Sequence, residues 1–151
     1  MNEYNKENRT WYRHWLKDVN LENGYAVTLT LKQRFNNITT TVYEAQKNMT
    51  NFISRLSRIV YGNNYKRRNQ KLVIMPSYET KGRQHYHAAI DFPDNLDHDK
   101  IYQAIKTSWV KTPLGLKQHN IKRITNHNGW VSYITKLEKQ NDTVDVINLH
   151  V

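Results

Sequence analysis

Residues 72–92 read LVIMPSYETKGRQHYHAAIDF, and this segment decides the fold. Its two halves, Leu72–Tyr78 and His85–Phe92, are rich in aliphatic and aromatic residues, which favours strands. Thr80–Arg83 lies between them and contains Gly82, which predicts a tight turn. Two strands joined by so short a turn run antiparallel, so the segment predicts a β-hairpin.

A further strand and a long helix precede this hairpin. Tyr25–Lys32 alternates with a period of two, which predicts a strand whose threonines, Thr28 and Thr30, share one face. Thr41-Val42-Tyr43-Glu44 has the pattern of a capping box. Apolar residues then recur at helical spacing as far as Gly62, so a long helix with one buried stripe is predicted.

The remaining elements complete an α+β fold. Helices are predicted at Asn8–Asp18, Asp97–Val110 and Asn128–Lys139, a strand at Lys117–Thr125, and either an edge strand or a trailing tail at Val144–Leu149. The order α β α β β α β α is typical of an antiparallel sheet with packed helices, related to the ferredoxin-like plan. No repeat or linker divides the sequence, so residues 1–151 are expected to form a single domain.

The composition points to a polyanionic partner. The 23 basic and 13 acidic residues give a net charge of +10, which favours contacts with the phosphates of nucleic acid. Ten tyrosines, four tryptophans and three phenylalanines accompany this charge, and unpaired bases stack on aromatic rings. A basic surface that serves only solubility is the alternative.

Other classes of protein are excluded by what the sequence lacks. It has no cysteine, which excludes disulfides and cysteine-ligated zinc and suits a reducing cytoplasm. The polar start Met1–Asn8 does not resemble a signal peptide, and the apolar runs are far shorter than the roughly 20 residues of a membrane helix. A cytoplasmic protein with no membrane partner is expected.

His85-Tyr86-His87 is a candidate metal-binding motif. Alternate residues of a strand share a face, so the two imidazoles point to the same side. If the turn is centred on Gly82, Glu79 lies opposite His85 and faces the same way. Two nitrogens and one carboxylate suit a divalent cation with open positions, such as Mn²⁺ or Mg²⁺. The alternative is a partly exposed strand surface with no metal.

Tyr133 and Lys136 form a candidate catalytic pair on the last predicted helix. Residues three apart share a helical face, so a phenol and an ammonium group are presented together. A free tyrosine titrates near pKa ~10 and needs help to act as a nucleophile. A neighbouring cation and a metal-polarised phosphate can supply that help. The same spacing also occurs by chance on surface helices.

Together, three motifs resemble those of the HUH endonucleases, in particular the replication initiator (Rep) class of plasmids and single-stranded DNA phages. The first is an apolar strand with threonines, matched by Ala26–Leu31. The second is His-hydrophobic-His on a strand, matched by His85–His87, and the third is Tyr-x-x-Lys on a helix, matched by Tyr133–Lys136. The resemblance extends over residues 25–140, nearly the whole sequence.

This resemblance implies a reaction and a partner. Tyr133 would attack the scissile phosphate of single-stranded DNA at an origin nick site, in an open strand or a hairpin, giving a 5′-phosphotyrosine link and a free 3′-hydroxyl. The metal would polarise the phosphate, and Lys136 would offset developing charge or position the metal–phosphate unit. Candidate DNA contacts are two threonines and a basic run, namely Thr28, Thr30, Lys66, Arg67 and Arg68.

The subclass follows from the neighbours of Tyr133, and several alternatives stay open. Gly129 and Leu137 lie one helical turn away, so the sequence resembles the single-tyrosine members. It contains no Gly-Lys-Ser/Thr nucleotide-binding loop, which leaves a small stand-alone initiator or the nuclease portion of a longer protein. A single-tyrosine transposase of the same superfamily and a non-catalytic single-stranded nucleic-acid binder are alternatives. The oligomeric state, monomer or dimer, is open.

Overall fold

The fold is built on an antiparallel sheet with helices on one face. The computed structural model describes residues 18–80, 82–126, 129 and 143–150. Within them the strands are β1 (Gly24–Leu31), β2 (Arg34–Phe35), β3 (Ile38–Thr39), β4 (Val73–Glu79), β5 (His85–Asp91), β6 (Gly115–Arg123) and β7 (Thr143–Val144), and the helices are α1 (Val42–Tyr61) and α2 (His98–Val110).

The order of the strands confirms the ferredoxin-like plan. They lie in the order β6-β1-β5-β4-β7, and each pairs antiparallel with its neighbour. β1, α1, β4, β5, α2 and β6 follow one another as a βαββαβ unit, with its first and third strands in the centre. The short β7 adds to the outer side of β4, and His150 makes a further bridge to Ile74. Of the two expectations for Val144–Leu149, the edge strand is therefore observed at Val144.

Both helices pack on the apolar face of the sheet. Leu29 and Leu31 have no exposed surface there, as the period-two pattern predicts. Phe52 of α1 and Trp109 of α2 meet edge to face, with ring centroids 5.4 Å apart. Trp109 Nε1 also donates a hydrogen bond to the Thr30 carbonyl at 2.9 Å. The two helices therefore lie on the side away from the threonine side chains of β1.

α1 begins and ends where local sequence signals place it. Thr41 Oγ1 accepts a hydrogen bond from Glu44 N at 3.2 Å, and Glu44 Oε1 accepts one from Thr41 N at 3.4 Å. The predicted capping box is thus confirmed, and caps of this kind contribute about 1 kcal/mol. Gly62 ends the helix at a φ of 90°, a conformation that other residues rarely adopt.

A buried polar network holds the C-terminal segment against the helix layer. The Asp145 side chain accepts hydrogen bonds from the Tyr86 phenol at 2.9 Å and from the Asn148 amide at 2.6 Å. Asn148 also donates to the Gln46 carbonyl of α1 at 3.1 Å. Asp145 is 1% exposed, and a buried carboxylate needs such donors. The segment after β7 is therefore fixed to both β5 and α1.

The structure contains a hairpin that the sequence patterns do not predict. β2 and β3 are two residues long and are joined by Asn36 and Asn37, which both have positive φ. Strands this short carry no hydrophobic period. β6 begins and ends two residues before the predicted range Lys117–Thr125, because the glycine and leucine after Pro113 already pair with β1.

Two predicted helices lie outside the residues that the structure describes. Apart from Asp18 and Gly129, these are the helices expected at Asn8–Asp18 and Asn128–Lys139. Among the described residues, no helix is both long and apolar enough to cross a membrane.

Candidate metal centre

The β4–β5 hairpin brings three metal-binding side chains to one end of the sheet. Glu79 is the last residue of β4 and pairs directly with His85, the first residue of β5. His87 follows two residues later and pairs with Thr28 of β1. The expected position of Glu79 opposite His85 is thus confirmed, and all three side chains face the same side of the sheet.

The ligand atoms of Glu79, His85 and His87 meet at one point. His87 Nε2 lies 2.9 Å from Glu79 Oε2 and 2.8 Å from His85 Nε2, and His85 Nε2 also contacts Glu79 Oε2. All three atoms lie within 4.8 Å of one another. Two ligands at right angles, each about 2.1 Å from an ion, are about 3.0 Å apart. The cluster can therefore hold a metal ion.

Both imidazole rings have a second partner at Nδ1. His85 Nδ1 lies 2.6 Å from the Arg83 carbonyl, and because a carbonyl only accepts, the Nδ1 atom carries the proton. His87 Nδ1 lies 3.2 Å from Thr28 Oγ1. Partners of this kind fix the orientation of a ring that binds a metal. The Nε2 atoms of both rings are thereby left facing Glu79.

Burial favours the metal-binding form of His87. The residue is 8% exposed, and this burial is the largest influence on the imidazole and lowers its pKa. The charge of His85 acts in the same direction, whereas the hydrogen bond and charge of Glu79 raise the pKa. Histidine binds a metal as the neutral imidazole, so the environment holds His87 in the form that a ligand requires.

The two tyrosines of the hairpin are turned away from the cluster. Tyr78 and Tyr86 are at most 1% exposed and belong to the core under the helices. Tyr78 donates a hydrogen bond to Gln84, and Tyr86 donates one to Asp145. Burial raises the pKa of Tyr78 to about 12, and burial together with Asp145 raises the pKa of Tyr86. Neither phenol is therefore a candidate nucleophile.

A cavity of about 310 Å³ opens beside the cluster. Thr28 and His87 line it together with Asn120 and Lys122 of β6. Asn120 pairs with Thr28 across β1 and β6, which sets its side chain and that of Lys122 on the metal side of the sheet. An amide and an ammonium group can contact the phosphates and bases of a nucleic acid. Neither residue is expected from the sequence, although their period-two spacing is a signal that points to them.

The two candidate threonines lie next to the cluster. Thr28 pairs with His87, and Thr30 pairs with His85, across the central strands β1 and β5. The structure thus brings both threonines together with the candidate metal ligands. For Thr28 the contact is the hydrogen bond to the His87 ring.

The other candidate residues are not brought to this site. The exposed basic run Lys66–Arg68 precedes Val73, the first residue of β4, whereas Glu79 is the last. Six steps along a strand separate Val73 from Glu79, which corresponds to about 20 Å. Tyr133 and Lys136 lie outside the described residues.

One comparison with known proteins gives a match. No curated protein and no solved structure matches the chain. A family model described as a replication-associated protein of the ORF2 type matches residues 24–141. This range begins with β1, contains the whole cluster and includes positions 133 and 136. Since the match covers well over half of its length, the chain belongs to this family of replication-associated proteins.

Proposed function

We propose that the protein is a rolling-circle replication initiator that nicks single-stranded DNA and rejoins it through a phosphotyrosine link. Membership of a replication-associated family supports the role in replication. The observation that carries the chemistry is the cluster of Glu79, His85 and His87, whose ligand atoms lie within 4.8 Å of one another. Three protein ligands leave further positions of a divalent cation open for phosphate oxygens.

The donor set suits Mn²⁺ or Mg²⁺. Imidazole nitrogens and a carboxylate oxygen are ligands that these ions accept, and no thiolate is present to favour a softer metal. A cation bound here supplies positive charge that polarises and orients the scissile phosphate. The hydrogen bonds at Nδ1 hold the His85 and His87 rings in place. Asn120 and Lys122 line a cavity through which the strand can approach.

Tyr133 is the proposed nucleophile. Its phenolic oxygen attacks the phosphorus, the bond from phosphorus to the 3′-oxygen breaks, and the phenol loses a proton while the leaving 3′-oxygen gains one. Lys136 offsets the charge that develops on the phosphate or positions the phosphate with the metal. The 5′-phosphotyrosine keeps the energy of the broken bond. Attack by a 3′-hydroxyl therefore rejoins the strand without ATP.

The nucleophile is tested by trapping the covalent link. The protein is incubated with single-stranded DNA and Mn²⁺, and an adduct that survives SDS is measured. Tyr133→Phe is expected to abolish the adduct while DNA binding persists. Tyr43→Phe is the matched control, because Tyr43 is 68% exposed on α1 and should leave the adduct unchanged. An adduct in Tyr133→Phe would contradict the assignment.

The metal requirement is tested in the same assay. EDTA and His87→Ala are each expected to remove cleavage, and cleavage that is indifferent to both would rule out the metal role. Strand binding with no adduct in the wild-type protein would favour a non-catalytic single-stranded nucleic-acid binder. Cleavage restricted to hairpin substrates and to a dimer would favour a single-tyrosine transposase.

A further inference from the structure

A second groove lies between the β2–β3 hairpin, α1 and the loop before β6. It has a volume of about 210 Å³, and Phe35, Lys47, Asn51, Pro113 and Leu114 are among the residues that line it. It shares no lining residue with the cavity beside the metal cluster. The proposed nicking chemistry does not use it.

The groove lies at the end of the sheet that carries the cluster. β1 ends at Leu31, one residue beyond Thr30, which pairs with His85. Leu31 in turn pairs with Gly115 of β6, directly after the groove residue Leu114. A DNA strand bound at the cluster therefore has the groove beside it.

The hairpin that forms one wall of the groove is fixed at its base. The Gln33 side chain accepts a hydrogen bond from Gln84 N at 2.6 Å and donates one to the Gln84 carbonyl at 3.0 Å. Gln84 directly precedes His85. The Thr40 hydroxyl donates to the Lys32 carbonyl at 2.7 Å on the other side of the hairpin. The base is thus held against the strand that carries the metal ligands.

The tip of the hairpin presents an aromatic side chain among positive charges. Phe35 is 39% exposed, although an aromatic ring gains free energy when it leaves water. Lys32 and Arg34 flank it in the hairpin and Lys47 lines the groove, and all three are exposed. The acid of the groove, Glu44, accepts hydrogen bonds within the capping box. A positive groove with an aromatic side chain is the chemistry by which proteins bind single-stranded nucleic acid.

We propose that this groove binds one unpaired base of the DNA strand, which stacks on Phe35. The inference rests on the proposed function, since the strand bound here is the one cut at the metal cluster. Lys47 is placed to contact a phosphate and Asn51 to contact the edge of the base. Every base has a face that can stack, so the groove adds affinity and does not select a sequence.

The test separates base stacking from attraction to phosphates. Fluorescence anisotropy in EDTA compares labelled oligo(dT) with an abasic strand of equal length, which has the same phosphates and no bases. The wild-type protein is expected to prefer oligo(dT). Phe35→Ala should lower that preference roughly tenfold, and Phe35→Trp should retain it.

Ile38→Ala is the matched control. Ile38 pairs with Phe35 in the same hairpin and is 66% exposed, but it is not one of the residues that line the groove. This variant should prefer oligo(dT) as strongly as the wild-type protein does. An unchanged preference in Phe35→Ala, or an equal loss in Ile38→Ala, would overturn the inference.

Two further outcomes assign the failure to its source. If Phe35→Ala abolishes self-association in size-exclusion chromatography and binds DNA normally, the side chain belongs to a contact between copies of this chain and the inference is overturned. If the wild-type protein forms no Tyr133 adduct but Phe35→Ala loses the preference for oligo(dT), the nicking chemistry fails and the base-binding groove stands.

Discussion

At the residue scale, the candidate metal centre depends on a hydrogen bond between two strands. Thr28 Oγ1 lies 3.2 Å from His87 Nδ1, and the pairing of β1 with β5 sets the two residues side by side. The bond fixes the imidazole so that its Nε2 atom faces Glu79. Thr28 is therefore a positioning residue for a metal ligand.

Thr28→Val is expected to weaken Mn²⁺ binding roughly ten- to hundredfold, which is the usual effect of removing the partner of a metal-binding histidine. Valine keeps the shape of threonine and removes only the hydroxyl. Thr28→Ser should bind as the wild-type protein does, and Thr30→Val, on the same face of β1, is the control. Isothermal titration calorimetry gives the affinities. Equal affinity of Thr28→Val and wild type would show that the hydroxyl has no positioning role.

The buried imidazole of His87 also predicts how stability depends on pH. Burial lowers the pKa of His87 below its usual value of 6.5 in the folded protein, so the unfolded chain takes up this proton more readily. The stability of the metal-free protein is therefore fully present above pH 6.5 and falls as the pH drops from 6.5 toward the lowered pKa. Urea unfolding in EDTA at a series of pH values measures this loss.

His87→Gln is expected to reduce that dependence on pH. His98→Gln is the control, because His98 is an exposed residue at the start of α2. If the His87 variant loses stability below pH 6.5 as steeply as the wild-type protein does, another group is responsible.

The residues of this centre differ in how far the sequence predicts them. A short turn fixes the register of a hairpin, so the position of Glu79 opposite His85 follows from the turn at Gly82. The contact between Thr28 and His87 depends on the register of β1 against β5, and 59 residues separate the two positions. No local pattern gives that register. It is set only when the whole sheet assembles.

At the scale of elements, one hydrogen bond connects the central strand β5 to the segment after β7. Tyr86 donates to Asp145 at 2.9 Å, and Asp145 also accepts from Asn148 at 2.6 Å. The segment therefore packs against α1 through a network that begins between the two histidines of β5.

Tyr86→Phe is expected to lower the free energy of unfolding by about 1.5–3 kcal/mol, the range for a hydrogen bond to a charged group. The ring and its packing are retained, so the change reports on the hydroxyl. Urea denaturation measures the difference, with the exposed Tyr43→Phe as the control. An unchanged midpoint in Tyr86→Phe would mean that the network contributes no stability.

Elements long enough to show a period are predicted well from the sequence. The predicted strand Tyr25–Lys32 is observed as Gly24–Leu31, and the predicted start of the long helix at Val42 is confirmed by its capping box. β2 and β3 have only two residues each, which is too few for any period. Their signal is Asn36-Asn37, because a two-residue hairpin turn needs residues that accept positive φ.

At the scale of the whole molecule, the basic residues are spread over distant parts of the fold. Lys66–Arg68 precedes the end of β4 that is away from the cluster, whereas Lys122 lines the cavity beside the cluster. The net charge of +10 predicts a polyanionic partner from the sequence alone. The path of that partner depends on the sheet order, which charge does not determine.

Replacing Lys66, Arg67 and Arg68 together by glutamine is expected to weaken DNA binding. If all three contact phosphates, the slope of log K against log salt becomes shallower by about 2. Anisotropy titrations with single-stranded DNA over a range of salt concentrations measure the slope. A slope equal to that of the wild-type protein would leave this run as a solvated surface.

β6 forms an outer edge of the sheet in the part of the chain that the structure describes. An exposed edge offers amide and carbonyl groups with which another chain can pair, and charged side chains along the edge oppose that pairing. β6 carries exposed cations at Lys117, Lys122 and Arg123. The positive charge that attracts phosphate thus also protects the protein from aggregation, and a variant neutralised along β6 would lose solubility as well as affinity.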